Sequence, residues 1–401
     1  MNKASVFKMD KNKYELILRS FDIDKCTLAI KSVLLNHSPG DVYVDSVISP
    51  KTAFIWNNEH HFFILGDLDN KVYNEQLSKI IYENIFKQAK QKNNLLDFYI
   101  RFFLNNLSDK GKYEEMISVL FKENPVMIKK YRYYMLDLSE YEFKKRVDIP
   151  LDSGISIEFI DSSFLKRTHL NNYDQIIGMI NENWISEEVF LNNGFGFCLV
   201  KDDSIISWCI SDYNIDKQCE IGVETDDVYR RKGYATIVVT EVLNYCKQRG
   251  LKKVGWHCMD SNVGSYKLAE KVGFKRKDDY ITYHAWFNIF DNFLVNGHYY
   301  LTKTEEYRKA AECYEKAFDM KLKNSSDYLD SVIFSESNNI KWCYYNTACA
   351  WALSGECERA FSSLQKAIEA GWRDVNMMKD DERLNCLKDD NKWTELLKTL
   401  A

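Results

Sequence analysis

The chain has 401 residues, of which 45% are hydrophobic, 14% aromatic and 28% charged. This length and balance predict two or three globular domains and exclude an intrinsically disordered chain. The formal net charge of -5 excludes a broad basic surface for nucleic acid or for an anionic membrane.

The cellular compartment of the protein can be predicted from its apolar segments and its cysteines. There is no run of about 18 apolar residues to span a membrane, and the first residues have no apolar secretion signal. The eleven cysteines form no CxxC pair, and several lie in apolar runs, which indicates reduced thiols. These features predict a cytoplasmic protein.

The first block of the chain, residues 1–148, alternates strand and helix patterns. Helical patterns extend to Leu35, and a turn follows at Ser38-Pro39-Gly40. The predicted elements after this turn are strand 42–47, a hairpin over 52–65, helix 73–92, strand 97–104, helix 113–122 and strand 127–138.

The second block, residues 149–287, repeats this order of elements. A hairpin of strands 196–200 and 204–211 turns over Asp202-Asp203. The predicted elements that follow are strand 219–225, helix 234–249, strand 253–258, helix 262–271 and strands within 274–287. The two blocks are therefore predicted to be structural repeats, on element order alone. A third block, residues 288–401, is predicted to be helical throughout.

A basic loop joins strand 219–225 to helix 234–249. Its residues are Arg230, Arg231, Lys232, Gly233, Tyr234, Ala235 and Thr236. The start of a helix presents unpaired backbone N–H groups and about half a positive charge, so it can hold a pyrophosphate. The glycine lets the anion approach the backbone, and the cationic side chains add donors. The alternative to an anion-binding loop is a solvated basic turn before a helix. The motif that follows favours the anion-binding loop.

The second motif follows the next predicted strand. Asn262 can cap a short helix that contains Ser265 and Leu268 and ends at Gly273-Phe274. Arg230-x-x-Gly233-x-Ala235 resembles the coenzyme A pyrophosphate motif of the GNAT superfamily of N-acetyltransferases. Asn262-x-x-Ser265-x-x-Leu268 resembles the Asn-x-x-Ala-x-x-Leu segment that follows it in that superfamily. The resemblance covers roughly residues 150–287.

The resemblance implies an α/β (α+β) GNAT fold with a mixed, mostly antiparallel central sheet and flanking helices. It implies acetyl-CoA as cosubstrate, without a metal, and strand 219–225 separating from its neighbour to bind the pantetheine. The residues implied to contact the cofactor are Val223, Thr225, Arg230, Arg231, Lys232, Gly233, Tyr234, Ala235, Thr236, Asn262 and Ser265.

Acyl transfer to an amine benefits from a general base, because an alkylamine of pKa near 10 is only about one part in a thousand neutral at pH 7. Glu220 and Glu224 on the cofactor strand are the candidate bases. Glu220 is favoured because related enzymes often have an acidic residue at that end of the strand. A solvated strand face remains the alternative for each carboxylate.

A general acid would protonate the departing thiolate. Many members of the superfamily use a tyrosine directly after the leucine that Leu268 matches, and Ala269 stands there in this chain. Tyr266 and Ser265 are the substitute candidates, and reaction without an acid is the third option. Backbone N–H groups near Val223 would polarise the thioester carbonyl.

Two other patterns are assigned no chemistry. His257 and Cys258 are adjacent in a strand, so they point to opposite faces and form no dyad, and Cys258 is predicted to be core. Glu59-His60-His61 has no third metal ligand at a suitable spacing and is predicted to be an exposed hairpin. No metal site is predicted.

The first block is predicted to be a degenerate GNAT-like domain. Its counterpart of the phosphate loop, residues 66–71, contains Asp67 and Asp69, which would repel a pyrophosphate. This half is therefore predicted to bind no coenzyme A and to shape the acceptor cleft or support the sheet. The layout resembles a bacterial two-part GNAT family whose members include zwittermicin-type resistance acyltransferases.

The third block resembles tetratricopeptide repeats. One copy runs from Asn346 through Ala348, Cys349, Ala352, Leu353 and Gly355 to Ala360, Leu364 and Ala367, and a looser copy includes Gly297, Tyr300, Ala310, Tyr314 and Ala317. A groove for a protein partner is one interpretation. A lid on the catalytic domain or a homodimer surface is the other.

The sequence predicts an acetyl-CoA-dependent N-acetyltransferase that acts on a primary amine of a small molecule, such as an amino-bearing antibiotic or metabolite. Two alternatives stay open. One is a protein or peptide N-acetyltransferase guided by the helical repeats, and the other is a non-catalytic scaffold that binds coenzyme A.

Overall fold

A computed structural model of the chain describes residues 6–92, 95–103, 110–122, 124–142, 154–333 and 339–400. The end of the predicted strand 97–104 and the predicted boundary at 148/149 lie outside the described residues.

One sheet organises the first part of the molecule. Within the described residues it has twelve strands: β1 Phe7–Lys8, β2 Asp41–Val44, β3 Thr52–Trp56, β4 His61–Gly66, β5 Asp97–Phe103, β6 Met127–Asp137, β7 Ile155–Phe159, β8 Gly196–Lys201, β9 Ser204–Ile215, β10 Gln218–Thr225, β11 Lys253–Met259 and β12 Lys275–Trp286. Their order is β1-β2-β3-β4-β5-β12-β6-β11-β10-β9-β8-β7. The pairs β4–β5 and β10–β11 are parallel, whereas β1–β2, β2–β3, β3–β4, β6–β11, β7–β8, β8–β9 and β9–β10 are antiparallel. The predicted mixed, mostly antiparallel sheet is confirmed.

Helices connect the strands and form the C-terminal region. They are α1 Tyr14–Ser20, α2 Leu28–Leu34, α3 Lys71–Ile80, α4 Phe86–Lys92, α5 Lys110–Leu120, α6 Tyr173–Asn183, α7 Glu187–Asn193, α8 Tyr234–Gln248, α9 Val263–Val272, α10 Ile289–Tyr299, α11 Tyr307–Leu322, α12 Ser326–Leu329, α13 Asn339–Leu353, α14 Cys357–Glu369, α15 Val375–Asp380 and α16 Asn391–Lys398. The segment Ile81–Ile85 continues α3 into α4 as a π-helical turn, so the predicted helix 73–92 is one continuous helical stretch.

The sequence prediction was wrong in two places. The predicted strands within 274–287 are one strand, β12 Lys275–Trp286, whose charged first half is extended and exposed. The elements β1, β7, α6 and α7 were not predicted, and β1 lies within the stretch for which helical patterns were predicted. The strand β7 has no fully buried residue, so it lacks the alternation that identifies a half-buried strand.

The final strands of the two blocks exchange places in the sheet. The first block ends in β6, which pairs with β11 of the second block from Asp137–Lys253 to Tyr131–Met259. The second block ends in β12, which lies between β5 and β6. The two blocks therefore share one sheet.

The chain divides into two compact units. The first is Met1–Leu77, Tyr99–Met116 and Ile128–Tyr283, and the second is Ser78–Phe98, Ile117–Met127 and His284–Ala401. The division into domains 1–148, 149–287 and 288–401 stays a prediction.

Helices cover both faces of the first unit's sheet. Successive strand residues point to opposite faces, and β9 shows this directly. Cys209 belongs to the buried cluster that contains Val238 of α8. Its neighbours Trp208 and Ile210 belong to the cluster that contains Ile176 of α6.

The second unit contains the helical C-terminal region. In it α10 packs on α11, α11 on α13, and α13 on α14. Ala348, Ala352 and Ala360 are buried between these helices. Gly297 of α10 lies so close to α11 that an added Cβ would be 3.0 Å from the Tyr314 ring. The helical region is confirmed, and its tetratricopeptide character stays a prediction.

None of the helices in the described ranges combines the length and the apolar character needed to cross a bilayer.

Gly66 at the end of β4 tests the packing of the first unit. Its φ is 85°, and an added Cβ would lie 2.1 Å from the Lys51 carbonyl oxygen. We expect Gly66→Ala to lower the free energy of unfolding by about 3 kcal/mol or more, because a left-handed backbone costs about 1–2 kcal/mol without glycine and the clash adds to this. Urea unfolding followed by circular dichroism measures the loss.

Gly250→Ala is the matched control. Gly250 also has a positive φ, of 73°, but nothing lies within 4 Å of an added Cβ. The expected loss is therefore only the backbone cost of about 1–2 kcal/mol. Equal losses in the two variants would contradict the clash at Gly66.

Candidate active site

Two parallel strands separate in the middle of the sheet. β10 and β11 pair from Gln218–Lys253 to Glu220–Gly255, and both strands then continue, to Thr225 and to Met259. Beyond Glu220 the facing edges of the two strands enclose a slot. Backbone groups along these edges can bind an extended ligand in the way that they would bind a third strand.

A β-bulge lies at the same level as this separation. The register of β10 against β9 shifts between Glu220 and Ile221, so that Asp212 of β9 is the extra residue. A bulge bends the strand that contains it and increases the local twist, so β9 changes direction at the level where the pairing of β10 with β11 ends. Gly222 follows the bulge, and an added Cβ on it would lie 2.9 Å from Asp212 Oδ1 and 2.7 Å from Met179 Cε.

The basic loop lies directly after the slot. It enters α8 through Arg231 and Gly233, which have left-handed φ values of 64° and 90°. The Nε of Arg230 donates to the Thr225 carbonyl oxygen at 3.2 Å, and its guanidinium pairs with Asp227 at 2.7 Å. The loop is thereby fixed to the end of β10.

The loop presents positive charge to solvent. Arg230, Arg231 and Lys232 are exposed, and the start of α8 adds its partial positive charge. Lys271 of α9, which the sequence motifs did not single out, places its Nζ 3.4 Å from Thr236 Oγ1 near the same helix end. This arrangement can bind a phosphate or pyrophosphate group.

The remaining residues predicted in this loop point inward. Tyr234 and Thr236 are buried, and Ala235 is half-buried. The Tyr234 side chain belongs to the core cluster beneath α8. The Thr236 N–H donates to the Gly233 carbonyl oxygen at 2.9 Å, so the backbone N–H groups before Thr236 are the ones at the helix start that can face an anion.

Asn262 and Ser265 are tied into the start of α9. Asn262 Oδ1 accepts from the Ser265 N–H at 3.1 Å, which caps the helix as the sequence predicts. Ser265 Oγ accepts from Trp256 Nε1 at 2.9 Å. Both side chains thus help to hold α9 on β11.

Tyr266, a candidate acid, packs on the β6 side of β11. The Arg132 guanidinium of β6 lies 4.0 Å from the centre of the Tyr266 ring. The slot lies on the other side of β11, next to β10. Ala269, where the related enzymes have tyrosine, is fully buried in the core beneath α8 and α9.

Glu220, a candidate base, is buried where the strands separate. It is 6% exposed, and its Oε1 lies 3.3 Å from His257 Nε2 and 3.5 Å from Thr27 Oγ1. Burial acts to raise the pKa of Glu220, but His257, Arg101 and a hydrogen bond from the Leu28 backbone outweigh it and hold that pKa below its usual range. Glu220 is therefore ionised at neutral pH.

Glu224, the second candidate, lies in a different environment at the end of β10. Its side chain is exposed and close to the basic loop. Partial burial raises the pKa of Glu224, the charge of Arg230 opposes this, and Asp227 adds to it. The two candidate bases thus differ in burial and in the direction of their pKa shifts, which is downward for Glu220 and upward for Glu224.

Further carboxylates accompany Glu220. Burial and the charges of Glu182 and Glu220 raise the pKa of Asp212 well above its usual range. Burial and the charge of Glu182 raise the pKa of Glu59 to about 7, although His60 opposes this. Glu59 is in the β3–β4 hairpin and Glu182 is in α6, so the acidic region includes residues of both blocks.

The sequence patterns assign no chemical role to His257, which lies beside Glu220 in the structure. Its side chain is on the same face as Glu220, whereas Cys258 is in the core with Trp256. The prediction that these neighbours face opposite ways is confirmed. Strand alternation identified which face His257 occupies, but only the sheet order placed Glu220 beside it.

Metal chemistry has no evident site in the described ranges. No group of three or more His, Cys, Asp or Glu side chains there is arranged to hold a metal ion.

Comparison with known proteins identifies related chains. A family model described as GNAT acetyltransferase matches residues 20–283, which includes both blocks of the sheet. The uncharacterized N-acetyltransferase YdfB of Bacillus subtilis (strain 168) is 26% identical over 278 residues, which cover 69% of this chain and 98% of that protein.

Two solved structures are also similar. A GCN5-related N-acetyltransferase-like protein from Streptococcus suis has a TM-score of 0.49 and 23% identity over 69% of this chain and 98% of its own. A GCN5-related N-acetyltransferase from Sphaerobacter thermophilus has a TM-score of 0.45 and 11% identity over 71% of this chain and 95% of its own.

Gly233 tests the role of the basic loop. We expect Gly233→Val to weaken coenzyme A binding about tenfold or more, because a β-branched side chain disfavours the left-handed φ of 90° and crowds the approach to the helix start. Isothermal titration with coenzyme A measures this. Gly250→Val, at the other end of α8, is the control and should bind normally. Unchanged affinity in Gly233→Val would remove the loop as the anion site.

Proposed function

The chain belongs to the GNAT acetyltransferase family, and on this premise we propose that it transfers an acetyl group from acetyl-CoA to a primary amine of a small molecule. The observation that supports this most directly is the separation of β10 and β11 immediately before a basic helix start. The slot suits an extended thioester arm, and the loop suits the pyrophosphate at its far end.

The basic loop is proposed to hold the cofactor's pyrophosphate. Arg230, Arg231 and Lys232 supply the charge, and the backbone from Gly233 to Ala235 supplies N–H donors, with Thr236 completing the first turn of α8. Lys271 is added to this set because of its position beside Thr236. Asn262 and Ser265 support the site through α9.

The edge of β10 is proposed to bind the pantetheine arm and the thioester. Backbone groups of Val223 and Thr225 that β10 does not use to pair with β9 are proposed to face the slot. A backbone N–H there can donate to the thioester oxygen as negative charge develops on it. Acetyl-CoA supplies the acetyl group already activated as a thioester.

Glu220 is proposed as the general base. It is ionised and buried where β10 and β11 part, which is the closed end of the slot. There it can accept a proton from the acceptor ammonium, either directly or through water. The amine nitrogen then bonds to the acetyl carbon, the carbon–sulfur bond breaks, and the thiolate leaves with the bonding electrons. The second N–H proton that the nitrogen must lose to become an amide goes to the departing thiolate or to solvent.

No side chain is proposed as general acid. Tyr266 is engaged by Arg132, and the Ser265 hydroxyl accepts a hydrogen bond from Trp256. A thiolate with pKa near 8.5 is a tolerable leaving group near neutral pH. The reaction then needs no other acid in place of the tyrosine that Ala269 replaces. Glu224 is proposed to face the basic loop rather than the amine.

The acidic region supports a cationic acceptor. The carboxyl groups of Glu59, Glu182 and Asp212 accompany Glu220. Burial and neighbouring carboxylates raise the pKa values of Glu59 and Asp212, and an ammonium ion bound there would favour the ionised forms of both groups. Resemblance to the two-part family with zwittermicin-type members favours an amino-bearing antibiotic or metabolite. A second amine on such a molecule would bind to the carboxylates that do not take part in proton transfer.

The first block is proposed to bind no coenzyme A. Its parallel strands β4 and β5 stay paired over five residues, from His61–Tyr99 to Leu65–Phe103, where β10 and β11 pair over three. Its loop is acidic, and Asp69 pairs with Lys112 at 2.8 Å. These features support a role in shaping the acceptor side and in completing the sheet.

The C-terminal helices are proposed to form a tetratricopeptide-like region that binds a partner protein or a second copy of the chain. The small buried residues between α13 and α14 support this, because such residues let paired helices approach closely. In this proposal the protein is cytoplasmic and acts neither on nucleic acid nor at a membrane.

The reaction itself is tested by incubating the full chain with acetyl-CoA and a library of small amines. We expect release of free thiol that depends on the amine, with diamines and polyamines ahead of monoamines because of the acidic region. A thiol reagent and mass spectrometry of the acetylated product measure this. No turnover with any amine, together with acetylation of a protein in lysate, would favour the protein-acetylating alternative.

The base is tested by removing one carboxylate at a time. Glu220→Gln should lower kcat by roughly 10²-fold, with the coenzyme A affinity unchanged, because the isosteric amide cannot accept the proton. Glu224→Gln, on the same strand, is the matched control and should stay within a few-fold. If Glu224→Gln loses the activity instead, the two roles are exchanged. If neither does, coenzyme A titration decides whether the chain is only a scaffold.

A further inference from the structure

A half-buried histidine, His257, lies between Glu220 and the tyrosine Tyr280. His257 of β11 places Nε2 3.3 Å from Glu220 Oε1, and its other ring nitrogen, Nδ1, lies 3.1 Å from the Tyr280 hydroxyl. Tyr280 is in β12. The imidazole therefore has the carboxylate at one nitrogen and the phenol at the other.

The histidine ring is held by aromatic packing. It stacks on Tyr133 with centroids 4.4 Å apart and an interplanar angle of 15°, and it meets Tyr280 edgewise at 5.6 Å and 76°. Arg101 covers the outer face of Tyr280, with its guanidinium carbon 3.6 Å from the ring centre. These contacts leave the imidazole one orientation.

The His257 nitrogen that faces Glu220 is Nε2. Nε2 is buried without a hydrogen-bond partner among the described residues, so the carboxylate at 3.3 Å is its electrostatic partner. A buried polar nitrogen in this state is costly unless a group beside it compensates. Phenol donation to Nδ1 would place the ring proton on Nε2, toward Glu220.

The backbone beside the pair makes room for this arrangement. Gly255 is the last residue of β11 that pairs with β10, opposite Glu220. An added Cβ on Gly255 would lie 2.9 Å from Glu220 Cγ and 3.2 Å from Tyr133 Cε2. The glycine thus lets the carboxylate and the tyrosine pack against the strand.

We propose that His257, with its tautomer set by Tyr280, is the positioning residue that holds the Glu220 carboxyl group at the closed end of the slot. This inference rests on the proposed role of Glu220 as base. It assigns a function to a residue outside the recognised motifs, and it makes β12 of the exchanged strands part of the active site. His257 acts through Glu220 and needs no contact with the acceptor.

The charge of Glu220 depends on groups from every element around it. Burial raises the pKa of Glu220, and His257 of β11 and Arg101 of β5 lower it. Burial and the charge of Glu220 raise the pKa of five neighbouring acidic groups. They are Tyr133 of β6, Asp212 and Tyr213 of β9, Cys219 of β10 and Tyr280 of β12. Glu182 of α6 acts on Asp212.

The direction of the pH effect follows from these groups. In the native protein the pKa of Glu220 is depressed, so the base form is present at neutral pH and is lost only as the pH falls through that lowered value. Without His257, burial is less opposed and the pKa of Glu220 rises. The base form is then lost at higher pH, and activity should recover as the pH increases.

The experiment compares His257→Gln, Tyr280→Phe and the exposed control His169→Gln in the full chain. We expect His257→Gln to lower kcat at pH 7 roughly tenfold or more, to leave the coenzyme A affinity unchanged, and to move the acidic limb of the kcat profile to higher pH. Tyr280→Phe keeps the ring and should move the limb in the same direction by less. His169→Gln should match the native profile.

A second readout does not depend on turnover. Infrared difference spectra against Glu220→Gln follow the carboxyl band of Glu220 in each variant during a pH titration. An upward shift in His257→Gln supports the inference even if the amine library yields no product, an outcome that would reject only the proposed acceptor. An unchanged Glu220 titration, or a kcat loss equal at every pH, would overturn the positioning role.

Discussion

The separation of β10 from β11 after Glu220 is the constraint on which the site depends. Parallel strands normally continue to pair because each unpaired backbone group is costly to bury. Here β10 and β11 stop pairing at the level of the bulge at Asp212 of β9, and their facing edges remain available to a ligand. The basic loop and the start of α8 follow at the end of β10, so one deviation in the sheet sets both ends of the slot.

Charge is segregated about this slot. Cationic side chains surround the start of α8, and carboxylates surround the point where the strands part. An anionic cofactor and a cationic acceptor would thus each meet opposite charge, and neither would be attracted to the other's position. Burial of Glu220 in its charged form is tolerated because His257 and Arg101 compensate for the lost hydration.

The strand exchange explains why the two blocks are not independent. Tyr133 of β6 and Arg101 of β5 come from the first block, yet both lie in the environment of Glu220 and His257 from the second. The β6 strand borders β11 where an isolated second block would have an open edge. The first block therefore contributes side chains to the site through the shared sheet. Its own parallel strands, β4 and β5, stay paired with each other.

The sequence by itself determined most of the elements and the basic loop, because these depend on local patterns. Alternation, glycines with left-handed φ such as Gly233, and the cap at Asn262 are readable from a few neighbouring residues. The acid–base environment was decided only by tertiary structure. Glu220, His257 and Tyr280 are distant in sequence, and their contact depends on the order of strands, which no local pattern encodes. The same reason explains why Glu220 and Glu224, alike in sequence, differ in burial and charge.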